Sequence, residues 1–193
     1  MTYWDDNATP AGVFNVGDMY NEYTRRQAAF IVEQLDVTTG TVIDWGCGIG
    51  RLIDPVAEAL PHVSVWGLDS SQAMVEEAAA TCRHGYFSYS LDIFGSVAGA
   101  FSVLTFQHLP DDTVKQHLKD LFVILKPGAR LVSQWVTSGE EAPMSYPRDW
   151  DAIHKLHLAA GFGVPRSGFF FTTDDVVTQY ANDWLWVTAE KPA

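Results

Sequence analysis

VIDWGCGIG, Val42 to Gly50, follows directly on Thr41 and precedes a segment, Leu52 to Leu60, whose apolar residues return at helical spacing until Pro61 stops it. Thr41 to Asp44 is β-rich, so the order is strand, glycine turn, helix. Such a turn stands at the carboxyl end of its strand, the edge at which open α/β sheets bind ligands. Glycine serves there because the chain must turn tightly and a ligand must approach main-chain atoms closely. Two details separate the turn from a dinucleotide site. The third glycine of Gly-x-Gly-x-x-Gly would fall at Arg51, and Asp44, two residues before Gly46, would repel a bound pyrophosphate. No Gly-Lys-Ser/Thr is present either, which excludes a P-loop.

Working outward, Val63 to Asp69 reads as a second buried strand, and Ser70 or Ser71 caps an alanine-rich helix reaching about Cys82, which closes a β-α-β unit. Tyr86 to Leu91 is expected as a third strand and Phe101 to Phe106 as a fourth. Pro110, Asp111 and Asp112 open a helix with Val114, Leu118, Leu121 and Leu125 on one face. Lys126, Pro127 and Gly128 are expected to end it, and Arg130 to Val136 to form a fifth strand. Upstream, Asp18 to Leu35 has helical spacing with Asp18 as cap. Downstream, Gly139 to Arg148 reads as a loop, Trp150 to Ala160 as a helix, Gly161 to Asn182 as a loop plus a strand, and Trp184 to Glu190 as a final strand. Strands alternating with helices imply a doubly wound, mostly parallel sheet with helices on both faces.

The 193 residues fit one domain, divided into an N-terminal helical cap at 1–38, a binding core at 39–136 and a substrate-side segment at 137–193. Apolar residues at 47% and charged ones at 19% suit a packed globular protein. No apolar stretch approaches the roughly 18 to 20 residues that span a bilayer, and MTYWDDNATP lacks the pattern of a secretory signal, so a cytoplasmic protein without a membrane partner is expected. Cys47 and Cys82 are too few for a disulfide framework. A net charge of −12 opposes binding to a phosphate backbone, which argues against nucleic acid as a partner.

Asp69 ends the second strand, where a carboxylate can accept hydrogen bonds from both hydroxyls of a ribose. Asp44 favours a cationic group nearby. A nucleoside with a cationic part and no pyrophosphate meets both conditions, and S-adenosylmethionine is such a molecule. The chain resembles the class I S-adenosylmethionine-dependent methyltransferases, whose first motif is an acidic residue followed by x-Gly-x-Gly-x-Gly. Asp44, Gly46, Gly48 and Gly50 match it in full. The likeness continues through Asp69, Asp92-Ile93, FQHLPD from Phe106 to Asp111, and KPGARL from Lys126 to Leu131, roughly Thr41 to Val136. It implies a Rossmann-like architecture with an antiparallel last strand, S-adenosylmethionine as cofactor and S-adenosylhomocysteine as product. Cys47 and Ser70 would be among the cofactor-binding residues, Asp69 would hold the ribose, Asp92 the adenine amino group and the main chain of Ile93 the ring. Gln107 and His108 would line the sulfonium. Phe101-Ser102 departs from relatives that have an acidic residue entering the fourth strand.

Methyl transfer from a sulfonium is an in-line displacement that positioning and desolvation can carry. His108 is the candidate general base if the acceptor must lose a proton, and a packing residue of the cofactor pocket otherwise. TFQH replaces the Asn/Asp-Pro-Pro-aromatic motif of exocyclic amine methylation, neither cysteine follows a proline, and two cysteines are too few for arsenite chemistry. A small organic acceptor remains. Tyr20, Tyr23, Arg25, Arg26, the loop from Thr137 to Pro147 and Trp135 are its candidate walls, with the arginines suited to a carboxylate. Trp135, Trp150, Trp184 and Trp186 are otherwise expected in the core. His154 and His157 have no obvious third ligand and read as a solvated helix face, so no metal is expected. The alternatives are another reaction of the same cofactor, such as cyclisation, or a non-catalytic partner subunit; a monomer or homodimer is expected.

Overall fold

The computed structural model describes residues 4–9, 20–90, 95–137, 145–168 and 184–193. The chain divides into two compact units, 1–101 and 102–193.

In the first unit the elements are α1 (Tyr20–Leu35), β1 (Gly40–Trp45), α2 (Ile53–Ala59), β2 (Val63–Leu68), α3 (Gln72–Thr81), β3 (Tyr86–Ser88) and β4 (Val97–Ser102), the last crossing the unit boundary by one residue. β1 lies between β2 and β4, β3 lies outside β2, and all these pairs are parallel. The strand order therefore reverses beside β1, and the glycine turn leaves the sheet at that switch point. Val42, Ile43 and Asp44 are all buried, as expected of a strand covered on both faces. α1 turns Tyr23, Thr24, Gln27, Ala28, Ile31 and Leu35 inward and leaves Arg25 and Arg26 exposed. Ser71, not Ser70, caps α3: its Oγ accepts from Met74 N at 3.3 Å.

The fourth strand differs from the expected Phe101 to Phe106. It starts at Val97 and ends at Ser102, with Val42, Ile43 and Asp44 of β1 opposite Gly99, Ala100 and Phe101. Small residues with weak strand preference suit a central position where bulk comes from neighbouring layers. Leu104, with φ of 60°, then takes the chain out of extended geometry, and Phe106 to His108 form a 3₁₀ turn. The third strand is likewise shorter than expected, ending at Ser88.

The second unit holds α4 (Asp111–Ile124), β5 (Leu125–Val136), α5 (Trp150–Ala160), β6 (Arg166–Gly168) and β7 (Trp184–Glu190). β5 pairs with β7 antiparallel from Arg130 opposite Glu190 to Val136 opposite Trp184, and β6 pairs antiparallel with the other edge of β7. Lys126-Pro127-Gly128 does not make the expected break: β5 follows α4 directly. Gly128 N donates to Lys191 O at 2.8 Å and Lys191 N to Ala129 O at 2.9 Å, so these residues continue the pairing with the chain after β7. α5 and β7 have the expected bounds. Asp149 caps α5 by accepting from Ala152 N at 2.8 Å. Gly161 ends it at φ +103°, where a Cβ would meet the Phe122 ring at 2.9 Å.

Trp135 and Trp186 are buried, as expected of core tryptophans, whereas Trp150 and Trp184 are half-buried. His157 does not lie on a solvated face. It is fully buried, with Nδ1 donating to Ile153 O at 2.8 Å and its ring edge-on to Trp135 and Phe162. The inward stripe of α5 is Ile153, Leu156, His157 and Ala160, and position 157 falls within it, so the helical period that pairs it with His154 also buries it. Among the described residues no helix is long and apolar enough to cross a membrane.

Candidate cofactor site

The turn after β1 takes its shape from glycines in the left-handed region: φ is 76° at Gly46, 54° at Gly48 and 78° at Gly50. The main-chain N–H groups of Gly46 and Cys47 both donate to Leu68 O, at 2.7 and 3.0 Å, which ties the turn to the end of β2. The inside of the turn is crowded. A Cβ on Gly50 would stand 2.5 Å from Cys82 Sγ and 3.1 Å from Ala78 Cβ of α3. Cys47 points its thiol at β2, where a Cβ on Gly67 would be 2.8 Å from the sulfur. Burial, with Asp44 and Asp69 adding, pushes that thiol well above its usual range.

Asp44 is 2% exposed. Burial pushes its carboxyl up to about 8, the Arg51 guanidinium opposes the shift and Asp69 adds to it. Arg51 also donates from Nη1 to Thr24 Oγ1 at 3.0 Å, joining α1 to the turn. A carboxyl so desolvated is stabilised as an anion by any cation placed beside it. The donor set therefore fits a ligand with an ammonium or sulfonium, whose charge offsets the cost of burying the anion.

Asp69 stands just past β2 and is half-buried. Its Oδ2 accepts from Gly48 N and its Oδ1 from Ser71 N, both at 2.9 Å. Burial raises its pKa, the N–H groups of Ser71, Gly48 and Ser70 oppose the rise, and Asp5 adds to it. Each carboxylate oxygen keeps a further lone pair for a hydroxyl. Asp5 enters through Ser71, whose Oγ donates to Asp5 Oδ1 at 2.5 Å, a contact that sequence spacing could not foretell. Ser70 is exposed beside it. Asp92 and Ile93 lie outside the described residues, as do the side chain of Tyr20 and residues 138–144 of the expected acceptor loop.

Of the other candidate walls on α1, Tyr23 is buried, Arg25 is exposed, and Arg26 is exposed with Nη2 2.7 Å from Glu22 Oε1. Gln27, which sequence reading did not single out, is fully buried, and neither atom of its amide has a hydrogen-bond partner among the described residues.

In the second unit Gln107 and His108 sit on the 3₁₀ turn, half-buried, with Gln107 Nε2 3.2 Å from His108 Nε2. The turn's own bonds are His108 N to Thr105 O at 3.0 Å and Leu109 N to Phe106 O at 3.3 Å. Trp135 stacks on Phe106 with centroids 4.9 Å apart, donates from Nε1 to Ser133 Oγ at 2.9 Å and is 1% exposed. Over its ring lies Arg148, 5% exposed, a residue with no local sequence signal.

Residues 42–128 match the family described as a methyltransferase domain. That stretch runs from β1 into β5, and it is the part of the chain that is similar to the family. Over 97 residues, 48% of the chain, it is 35% identical to the trans-aconitate 2-methyltransferase of Deinococcus radiodurans, and the match covers 36% of that protein's length. The fold is similar to that of a S-adenosylmethionine-dependent methyltransferase of Leishmania major, with a TM-score of 0.75 and 19% identity over 97% of this chain and 79% of that one. It is also similar to the [4+2]-cyclase SpnF, with a TM-score of 0.67 and 19% identity over 88% of this chain and 81% of that one.

Proposed function

We propose that the chain binds S-adenosylmethionine at the turn after β1 and transfers its methyl group to a small organic molecule, leaving S-adenosylhomocysteine. The observation that carries the reading is the buried Asp44 carboxyl beside three left-handed glycines, with Asp69 anchored across the same turn. Asp44 provides the negative potential for the cationic end of the ligand, and Asp69 holds the ribose through its remaining lone pairs. Bound there, the cofactor supplies an activated methyl group and its own leaving group. The protein's task is then to orient and to exclude water, which makes His108 a pocket residue rather than a base. A small organic acceptor is supported by the curated relative, whose name gives trans-aconitate as its own. Product mass separates methyl transfer from cyclisation, and turnover by the isolated chain separates an enzyme from a partner subunit.

Calorimetry tests the cofactor. At pH 7 a carboxyl near pKa 8 is largely protonated, so a cation that favours its anion should displace most of a proton, and affinity should climb as pH rises toward 8. The expected result is binding of S-adenosylmethionine with proton release, read from two buffers of different ionisation enthalpy, and no binding of NAD. Tight NAD binding with no affinity for either sulfur ligand would sink the reading.

A further inference from the structure

We infer that Arg148 is a positioning residue that sets the place of Gln107 and His108; the inference rests on the methyltransferase reading above. The 3₁₀ turn is too short to define itself, having only the two internal bonds already described. Its carbonyls are instead gripped by the segment leading into α5. Arg148 Nη1 donates to Phe106 O at 2.9 Å and to Tyr146 O at 3.0 Å, and Nη2 donates to Leu109 O at 2.5 Å. Nε donates to Asp111 Oδ1 at 2.8 Å. Between the two gripped carbonyls, Gln107 O accepts from Tyr146 N at 2.8 Å. The grip is itself anchored, because Arg148 N donates to Val136 O at 2.9 Å at the end of β5.

The guanidinium also lies over two aromatic rings. Its carbon lies 5.8 Å from the Trp135 ring centroid and 5.9 Å from that of Tyr146, within the range of cation–π attraction. Burying a cation is a poor way to gain stability, since apolar replacements of buried ion pairs are often neutral or better. Here only one of the four hydrogen bonds goes to a carboxylate, and that carboxylate is 60% exposed. The other three go to main-chain oxygens, two of them bracketing Gln107 and His108. A planar fork can span such separated acceptors in a fixed geometry, and a point charge cannot. Gln107 Oε1, buried and without a hydrogen-bond partner among the described residues, is held by this turn as an acceptor ready for a ligand's donor.

Arg148→Lys keeps the charge and loses the fork. The experiment measures amide hydrogen exchange residue by residue and S-adenosylhomocysteine affinity by calorimetry, on wild type and variant. In a folded variant the expected result is exchange at His108 and Leu109 faster by tenfold or more, unchanged exchange at Ile43 and Asp44, and an affinity about tenfold weaker. A folded variant whose exchange at those two amides and whose affinity both match wild type would overturn the proposal, as would a uniform rise in exchange with unchanged affinity. Should the variant fail to fold, wild type alone decides. Saturating S-adenosylhomocysteine should slow exchange at His108, Leu109, Tyr146 and Arg148 together, and protection confined to the first two would overturn the proposal. Wild type that does not bind S-adenosylhomocysteine sinks the methyltransferase reading instead, and local exchange in the variant still reads the grip.

Discussion

The turn after β1 and the turn after β4 are built on opposite plans. The first has its determinants in its own residues: three left-handed glycines, an acidic residue at the end of the strand, and anchors on Leu68 and Asp69 about twenty positions on. The second is a three-residue 3₁₀ turn whose shape depends on one arginine about forty positions downstream. A turn specified by backbone conformation is intolerant of change at the turn. A turn specified by a remote side chain tolerates change locally and fails when the remote group is lost.

The largest effect that would sharpen this contrast is expected from Gly50→Ala. An alanine there would hold a left-handed conformation and press its Cβ to 2.5 Å from Cys82 Sγ, which should cost roughly 2 to 6 kcal/mol and abolish cofactor binding. Gly128→Ala is the control: φ is +79° but nothing lies within 4 Å of the added carbon, so only the conformational cost of about 1 to 2 kcal/mol should appear in chemical denaturation. Equal losses in the two variants would show that crowding at the first turn is unimportant.

A second effect, of about 3 kcal/mol, concerns the core behind the second turn. His157 is held down to about pKa 4 by burial, against an ordinary 6.5. Its folded pKa lies below its unfolded one, so the unfolded chain takes up the proton first. Stability should be whole above about pH 6.5 and fall as pH drops from there to about 4. His157→Phe should flatten that limb of the melting temperature against pH, and an unaltered limb would assign acid sensitivity elsewhere. Asp44, with its raised pKa, acts with the opposite sign: in the free protein its contribution declines as pH rises toward 8.

Asp69→Ala should weaken S-adenosylhomocysteine binding by on the order of 1.5 to 3 kcal/mol, the worth of a hydrogen bond to a charged group, with the domain still folded. Unchanged affinity would leave Asp69 as a tether of Gly48 and Ser71 only. The smallest effect is expected of His108→Gln in single-turnover methyl transfer: less than about tenfold, against the 10² to 10⁴ that loss of a general base would cost. A thousandfold loss with disappearance of a basic limb near the imidazole pKa would make His108 the base.

What the sequence disclosed follows the same division. The first strand, the glycine turn, the place of Asp69 at the end of the second strand and the bounds of α5 and β7 are legible because each rests on local chemistry: left-handed glycines, hydrophobic period and caps. β4 was misplaced because Gly99 and Ala100 carry little strand preference and are settled by pairing with β1. His157 was misjudged because polarity, taken alone, argues for the surface, whereas its neighbours Ile153 and Ala160 fix it inward. The grip of Arg148, the bond from Ser71 to Asp5 and the tie from Arg51 to Thr24 have no sequence signal, because each is a contact across a long stretch of chain with no pattern near it. On α1 the arginines Arg25 and Arg26 face outward, and Tyr23, Thr24 and Gln27 turn in, a division set by helical phase rather than by residue chemistry.

The two hydrogen bonds that Asp69 accepts from Gly48 and Ser71 have a kinetic consequence. With both oxygens already tethered, the carboxylate has no rotamer search left to make on the proposed capture of a ribose, and the entropy of fixing it is spent during folding rather than during association. Capture of the nucleoside end should therefore proceed without a slow isomerisation. Stopped-flow traces of ligand binding to this end of the site should be single exponentials whose rate rises linearly with ligand concentration.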